Sequence, residues 1–218
     1  LVHGFGGSIY SWRKNVKELA DAGFRVVALD LKGFGLSDKK FEEDYSHNSQ
    51  AEFIKNLLNK LGIAKVDIVG HSMGGNIVTT FAMKYPDSTK SLTIVDGAII
   101  ETSSIGLLDI FNVKAVKNAF KLFAYNYFTR DRFADFLKSA YFNKEVVTDD
   151  VIDNYFIPLQ THGWADALAG VARDGKLNNL TQSLSELKLP VLLIWGEHDP
   201  WISIDNGRVL VNKIPGAI

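Results

Sequence analysis

The chain contains no cysteine, and that one absence removes several chemistries. A disulfide framework, a thiolate zinc site and a cysteine nucleophile are all excluded. A surplus of either charge is missing too, since 24 Lys and Arg face 25 Asp and Glu for a net charge of -1. Without a basic excess to meet phosphates, no nucleic-acid partner is expected. No stretch approaches the ~18 consecutive apolar residues of a membrane span. The longest uncharged run, Ile68 to Met83, is broken by glycines, His71, Ser72, Asn76 and two threonines. Repeats, low-complexity tracts and long linkers are absent as well. No leader pattern is visible, so the expected location is cytoplasmic. The sequence opens on Leu1-Val2-His3 rather than methionine, and the true start is expected to lie upstream.

What remains is an ordinary globular composition: 218 residues, 46% hydrophobic and 22% charged. A chain of this length can bury roughly 70% of its unfolded surface in one large domain. Short β-branched runs alternate with amphipathic helical patterns, which predicts a parallel α/β sheet. The strand candidates are Arg25–Asp30, Val66–His71, Ser91–Asp96 and Pro190–Trp195, with Leu1-Val2 as the tail of another. Their near-continuous apolar character suits strands covered on both faces. Helices are predicted over Ser11–Ala22, from a capping box at Ser49-Gln50-Ala51-Glu52 to Leu61, over Gly75–Tyr85 and over Ser203–Lys213. Gly23, Gly62 and Pro86 supply three of the stops. Residues 98–174 are rich in Phe, Tyr, Leu and Lys at helical spacing and show no strand. They read as a helical insertion between core segments 1–97 and 175–218.

Gly70-His71-Ser72-Met73-Gly74 fits G-x-S-x-G, with an apolar strand running in and an apolar helix running out. That context puts a serine on a strained strand-to-helix turn, beside helix N–H groups able to meet a developing anion. His3-Gly4-Phe5-Gly6-Gly7-Ser8 also follows a strand end and precedes a helix. Such a loop supplies a second anion-binding N–H in acyl-transfer hydrolases, which assigns the backbone N–H groups of Phe5 and Met73. A phosphate-cradling pattern is completed neither in this loop nor at Gly33-Phe34-Gly35.

Together HGFGGS (3–8), DLKGFGLSD (30–38), GHSMGG (70–75) and GEHDPW (196–201) resemble the α/β-hydrolase superfamily. The likeness is to its lid-bearing branch of esterases, C–C bond hydrolases and haloperoxidase-like enzymes. The resemblance implies an α/β fold: a mostly parallel sheet flanked by helices, with an inserted helical cap. It further implies Ser72 as nucleophile and Asp199, after the last strand, as the triad acid. Asp96 is the rival acid, because some relatives keep theirs after the preceding strand. Dehalogenases and epoxide hydrolases of the superfamily attack with aspartate, so Ser72 points instead to an acyl-enzyme.

None of the five histidines suits the role of base. His3 belongs to the loop, His71 precedes the nucleophile, His198 precedes the acid, and His47 and His162 lie in helical surroundings. The triad histidine is therefore expected outside this chain, which reads as truncated at both ends. H-E-x-x-H is absent, and Glu197-His198-Asp199 are contiguous rather than ligand-spaced, so no metal or cofactor is expected. Trp164, Phe142 and Phe128 are candidates to line an apolar substrate pocket. The expected activity is hydrolysis of a small to medium apolar or aromatic carboxylic ester. Dienoate-type C–C hydrolysis and a non-catalytic small-ligand binder are the alternatives.

Overall fold

The computed structural model describes residues 1–100 and 114–218. Its sheet has three strands, β1 (Val66–His71), β2 (Thr89–Val95) and β3 (Val191–Ile194), in the order β1-β2-β3. All pairs are parallel, with Ile68 opposite Leu92 and Ile94 opposite Leu193. Leu1-Val2 extends the order on the other side. Val2 bridges β1 at Gly70 and the 25–30 segment at Leu29, both in parallel. Ile218 exchanges two backbone hydrogen bonds with β3, donating to Val191 and accepting from Leu193.

The predicted strand over Arg25–Asp30 is thus reduced to one bridge. Its backbone meets Leu1-Val2 at Val27 and Leu29. A groove of about 710 Å³ lies between residues 24–27 and β1, and neither a histidine nor Ser72 lines it among the described residues.

Eight helices are described: α1 (Val16–Asp21), α2 (His47–Lys60), α3 (Met73–Lys84), α4 (Lys114–Tyr127), α5 (Arg130–Ser139), α6 (Asp149–Phe156), α7 (Trp164–Asp174) and α8 (Ile204–Lys213). The predicted helix from Ser11 splits into a 3-10 turn, Ile9–Trp12, and the short α1. Ser8 caps that turn by accepting from the Tyr10 N–H. α2 starts three residues earlier than the Ser49 capping box implies. Ser46 is its cap, accepting from the Ser49 N–H, while the Ser49 hydroxyl accepts from Lys32 Nζ.

The core forms where α2 and α3 meet the sheet. On α2, His47, Gln50, Ala51, Ile54 and Leu58 are buried, at the i, i+3, i+4 spacing of one helical face. On α3, Ile77, Val78 and Phe81 are wholly buried and share a cluster with Ile68, Leu92, Ile94 and Val191. Each such side chain contributes roughly 1.5–3 kcal/mol by leaving water. Truncating Ile77 to alanine would cost about 2–5 kcal/mol. β3 departs from the expectation of cover on both faces: Val191 is buried, but Leu192 and Ile194 are exposed.

Helices α4 to α7 intervene between β2 and β3, and no strand occurs there among the described residues. The part of the predicted insertion over 101–113 lies outside those residues. Two small apolar clusters hold the helices to one another, one around Phe133, Leu137, Ile152 and Tyr155, the other around Trp164 and Ala124. α7 reaches the main core through Ala167 and Val171. Its end is tied down: Arg173 donates to the carbonyls of Phe41 and Glu43, and Asp174 accepts from the Tyr45 N–H.

Candidate active site

Ser72 stands between the last residue of β1 and the first of α3, at φ 53° and ψ -120°. A non-glycine residue held at positive φ is strained by about 1–3 kcal/mol, so surrounding contacts must fix it. They do. The Ser72 N–H donates to Val95 O at 2.9 Å, and its carbonyl accepts from Gly75 N at 2.8 Å and Ala98 N at 3.0 Å. Gly74 is required by close approach, since a Cβ there would sit 2.4 Å from His3 O. Among the described residues the Ser72 hydroxyl makes no hydrogen bond.

The loop at residues 3–8 lies directly over this turn. A Cβ on Gly4 would stand 2.9 Å from Ser72 Cβ and 3.0 Å from His71 Nδ1. His3 fixes the loop from below. Its Nε2 accepts from Leu31 N at 3.1 Å, so the proton must sit on Nδ1, which donates to Gly4 O at 2.8 Å. The ring is fully buried, and burial pushes its pKa down to about 4 against the pull of the Gly4 carbonyl and Asp30. Met73, as the first residue of α3, has no intrahelical acceptor. Neither its N–H nor that of Phe5 has a protein acceptor among the described residues.

Beyond β2 and β3 stand the two candidate acids. Asp96 is the second non-glycine residue at positive φ, 43°, and its Oδ1 accepts from Gly196 N at 2.7 Å. Asp199 Oδ1 accepts from the N–H groups of Trp201 at 2.7 Å and Ile202 at 2.8 Å, which folds its loop into a tight turn. The two carboxylates feel each other: burial first, then the Asp199 charge, raises the Asp96 pKa, while the Gly196 N–H opposes the rise. Burial lowers the pKa of His71, and both aspartates pull it back. The strain at Asp96 was not legible in the sequence, where SLTIVD is simply the end of a strand.

Sequence reasoning also missed Asn76. Its Oδ1 accepts from His47 Nδ1 at 2.7 Å and Asn178 N at 3.3 Å. Its Nδ2 donates to Ala98 O at 3.2 Å and Asn178 O at 3.1 Å. All four hydrogen-bonding positions of the amide are therefore used. Ala98 opens the predicted insertion and Asn178 follows it, so one buried side chain holds both. His47 is neutral in this arrangement. Burial lowers its pKa, and its Nε2 has no partner among the described residues.

A cavity of about 230 Å³ begins beside Phe5 and Gly6 and extends among the helices of the insertion. Trp164 and Phe128 line it, with ring centroids 5.8 Å apart in an edge-to-face pair. Phe142 does not. It is 75% exposed, and its ring lies 4.6 Å from that of His198. The reason is local: Phe142 follows the end of α5 in an open turn, outside both apolar clusters. Of the other histidines, His162 and His198 are exposed. Among the described residues no group of three His, Asp or Glu side chains converges as a metal site. Nor is any helix there long and apolar enough to cross a membrane.

Known proteins share this fold. The profile of the alpha/beta hydrolase fold matches residues 1–217. A 2-hydroxy-6-oxononadienedioate/2-hydroxy-6-oxononatrienedioate hydrolase of Comamonas testosteroni is 27% identical over 223 residues, covering 100% of this chain and 76% of that protein. A meta-cleavage product hydrolase from Pseudomonas fluorescens superposes with a TM-score of 0.81 at 21% identity, over 100% of this chain and 78% of its own. A thermophilic esterase from Thermogutta terrifontis gives 0.75 at 22%, over 100% and 77%. At those identities the two solved structures establish likeness of fold alone. The family profile spans nearly every residue, and the chain belongs to the α/β-hydrolase fold family.

Proposed function

We propose that the chain carries the core of a serine hydrolase acting on a carboxylic ester of small to medium size. The observation that supports this most is the Ser72 turn, strained and backed by the N–H groups of Phe5 and Met73, which have no protein acceptor among the described residues. Ser72 Oγ attacks the acyl carbonyl carbon while a base takes its proton. The carbonyl oxygen becomes an oxyanion between the two N–H groups. Collapse breaks the bond to the alcohol, which leaves with the proton from the base. Water then attacks the acyl-enzyme by the same steps, releasing the acid and restoring Ser72.

Asp199 orients the base in this reading, and Asp96 supports the Asp199 loop through Gly196. The base is a histidine from outside these 218 residues. His3 uses both ring nitrogens, His47 is locked to Asn76, His71 is the β1 residue immediately before Ser72, His162 and His198 lie exposed, and none of the five bonds Ser72. Phe128 and Trp164 line the acyl pocket, and residues 98–174 act as its cap.

Cleavage of a C–C bond beside a carbonyl is the second reading, favoured by the name of the Comamonas testosteroni relative. The two are separated by assaying a nitrophenyl ester and a ring-opened dienoate in parallel. In the complete protein, ester turnover should fall by about a millionfold on Ser72→Ala, the scale for loss of a triad nucleophile. A serine-directed phosphonate should label the Ser72 peptide. Esterase activity surviving Ser72→Ala would reject both readings.

A further inference from the structure

The 230 Å³ cavity is apolar and aromatic over most of its wall, yet two cations belong to that wall, Lys39 and Arg132, and no carboxylate does among the described residues. Neither cation is at the cavity by accident of a long side chain, because each head group is anchored on another lining residue. Lys39 Nζ donates to Gly35 O at 2.6 Å and to Ser37 O at 3.0 Å, and Gly35 is itself part of the wall. The Arg132 guanidinium lies 4.8 Å over the ring of Tyr127, also a lining residue. No carboxylate among the described residues comes within ion-pair distance of either.

The acids one would expect to neutralise them are engaged elsewhere. Asp30 accepts from the N–H groups of Ile9 and Leu36, and Asp38 faces Lys40. Burial lowers the Lys39 pKa, with Asp30 and Asp38 opposing at longer range. An ammonium has three donors, so Lys39 keeps one unused, and the guanidinium keeps its planar fork. Lys39 is thus a partly desolvated cation without a counter-ion, which is unfavourable and which an arriving anion would relieve, while Arg132 offers its fork from the exposed rim.

We infer that Lys39 and Arg132 form an anion-reading pair, selecting an acyl substrate whose far end carries a carboxylate. This rests on the reading of the cavity as the acyl pocket of Ser72, and it amends the expectation of an uncharged substrate. Ser72 is not in the cavity wall; the scissile bond would lie at the Phe5 end, next to Gly4, whose backbone packs against Ser72. The apolar body of the substrate would run along Phe128 and Trp164 to the two cations.

The test measures binding rather than turnover, so it is independent of the base and of Ser72 chemistry. The monoanilide of succinic acid and the anilide of butyric acid share a shape and differ by one carboxylate. In calorimetric titration of the full chain, the carboxylated anilide should bind at least about tenfold more tightly. Raising salt to about 0.5 M should shrink that preference. Arg132→Gln, at an exposed site where folding is not at risk, should remove most of it and leave the neutral anilide unchanged. Arg132→Lys should restore part of it, and Lys39→Met should act in the same direction as Arg132→Gln.

Equal affinity for the two anilides, no binding of either, or a preference that survives Arg132→Gln would each overturn the inference. Carboxylate-dependent binding in a protein whose completed form hydrolyses no ester would keep the anion site and reject the hydrolase. Ester turnover indifferent to a remote carboxylate would do the reverse.

Discussion

The candidate nucleophile turn follows β1 and the candidate acid loop follows β3, with β2 between them, and the two are built differently. Ser72 is enclosed: three backbone hydrogen bonds fix it, and the His3-Gly4 backbone packs against its turn at distances that forbid side chains. Residues 196–202 are largely exposed, and the loop depends on two aspartate side chains for its shape. On one side geometry is imposed by backbone crowding, on the other by a few polar contacts. A strained nucleophile needs the first kind of support, because its conformation is unfavourable on its own. A residue that only orients a base can be held by the second.

The largest effect that could break this contrast is at the acid. Asp199→Asn should lower kcat of the complete protein by about 10⁴, the scale for loss of a triad carboxylate. Asp96→Asn keeps an Oδ1 acceptor for Gly196 N–H and should lower kcat by no more than about tenfold. Steady-state kinetics on both variants decide the point. If Asp96→Asn is the severe change, the roles of the two acids are exchanged.

Next in size is the pH response of the nucleophile side. His3 has its pKa lowered from an ordinary 6.5 to about 4 in the fold, so the unfolded chain binds the proton more readily. Stability is fully present above pH 6.5 and falls as pH drops from there toward about 4. The loss amounts to roughly 3 kcal/mol over that window. Urea unfolding at several pH values should show this slope, and His3→Gln should flatten it. His47, neutral and buried beside Asn76, adds a loss in the same direction. An unchanged slope in His3→Gln would mean that the loop does not depend on the buried imidazole.

Smaller still are the pocket changes. Trp164→Ala removes an aromatic lining residue and should raise KM for an aryl ester by about tenfold. Phe142→Ala touches an exposed ring and should leave KM within about twofold. A large KM change in Phe142→Ala would place that residue over bound substrate despite its exposure.

The same contrast governs what the sequence disclosed. β1, the Ser72 turn and α3 were legible because crowding dictates residue type: where backbones meet within van der Waals distance only glycine serves, and glycine is visible in a sequence. The acid loop was legible only through family likeness, since Asp96 and Asp199 are equally plausible turn aspartates. Arg25–Asp30 reads as a strand, yet strand structure belongs to a pair, and its pairing is a single bridge from Leu29 to Val2. The start of α2 was misplaced because two serines three residues apart both precede an apolar face, and only backbone geometry selects Ser46. Lys39 and Arg132 are 93 positions apart, so no local pattern could join them.

Asn76 carries a consequence for how the molecule opens. One amide grips Ala98 and Asn178, while the Ala98 N–H grips the Ser72 carbonyl. The Ala98 root can come loose only by releasing the Ser72 carbonyl, and the Asn178 root only by releasing Asn76, which holds Ala98 as well. Detachment of the insertion and relaxation of Ser72 therefore belong to one cooperative unit, which native-state hydrogen exchange would register as a shared opening energy. A partly opened molecule would lose its strained serine geometry in the same event that exposes its apolar pocket, so it would not present an armed nucleophile to the wrong substrate.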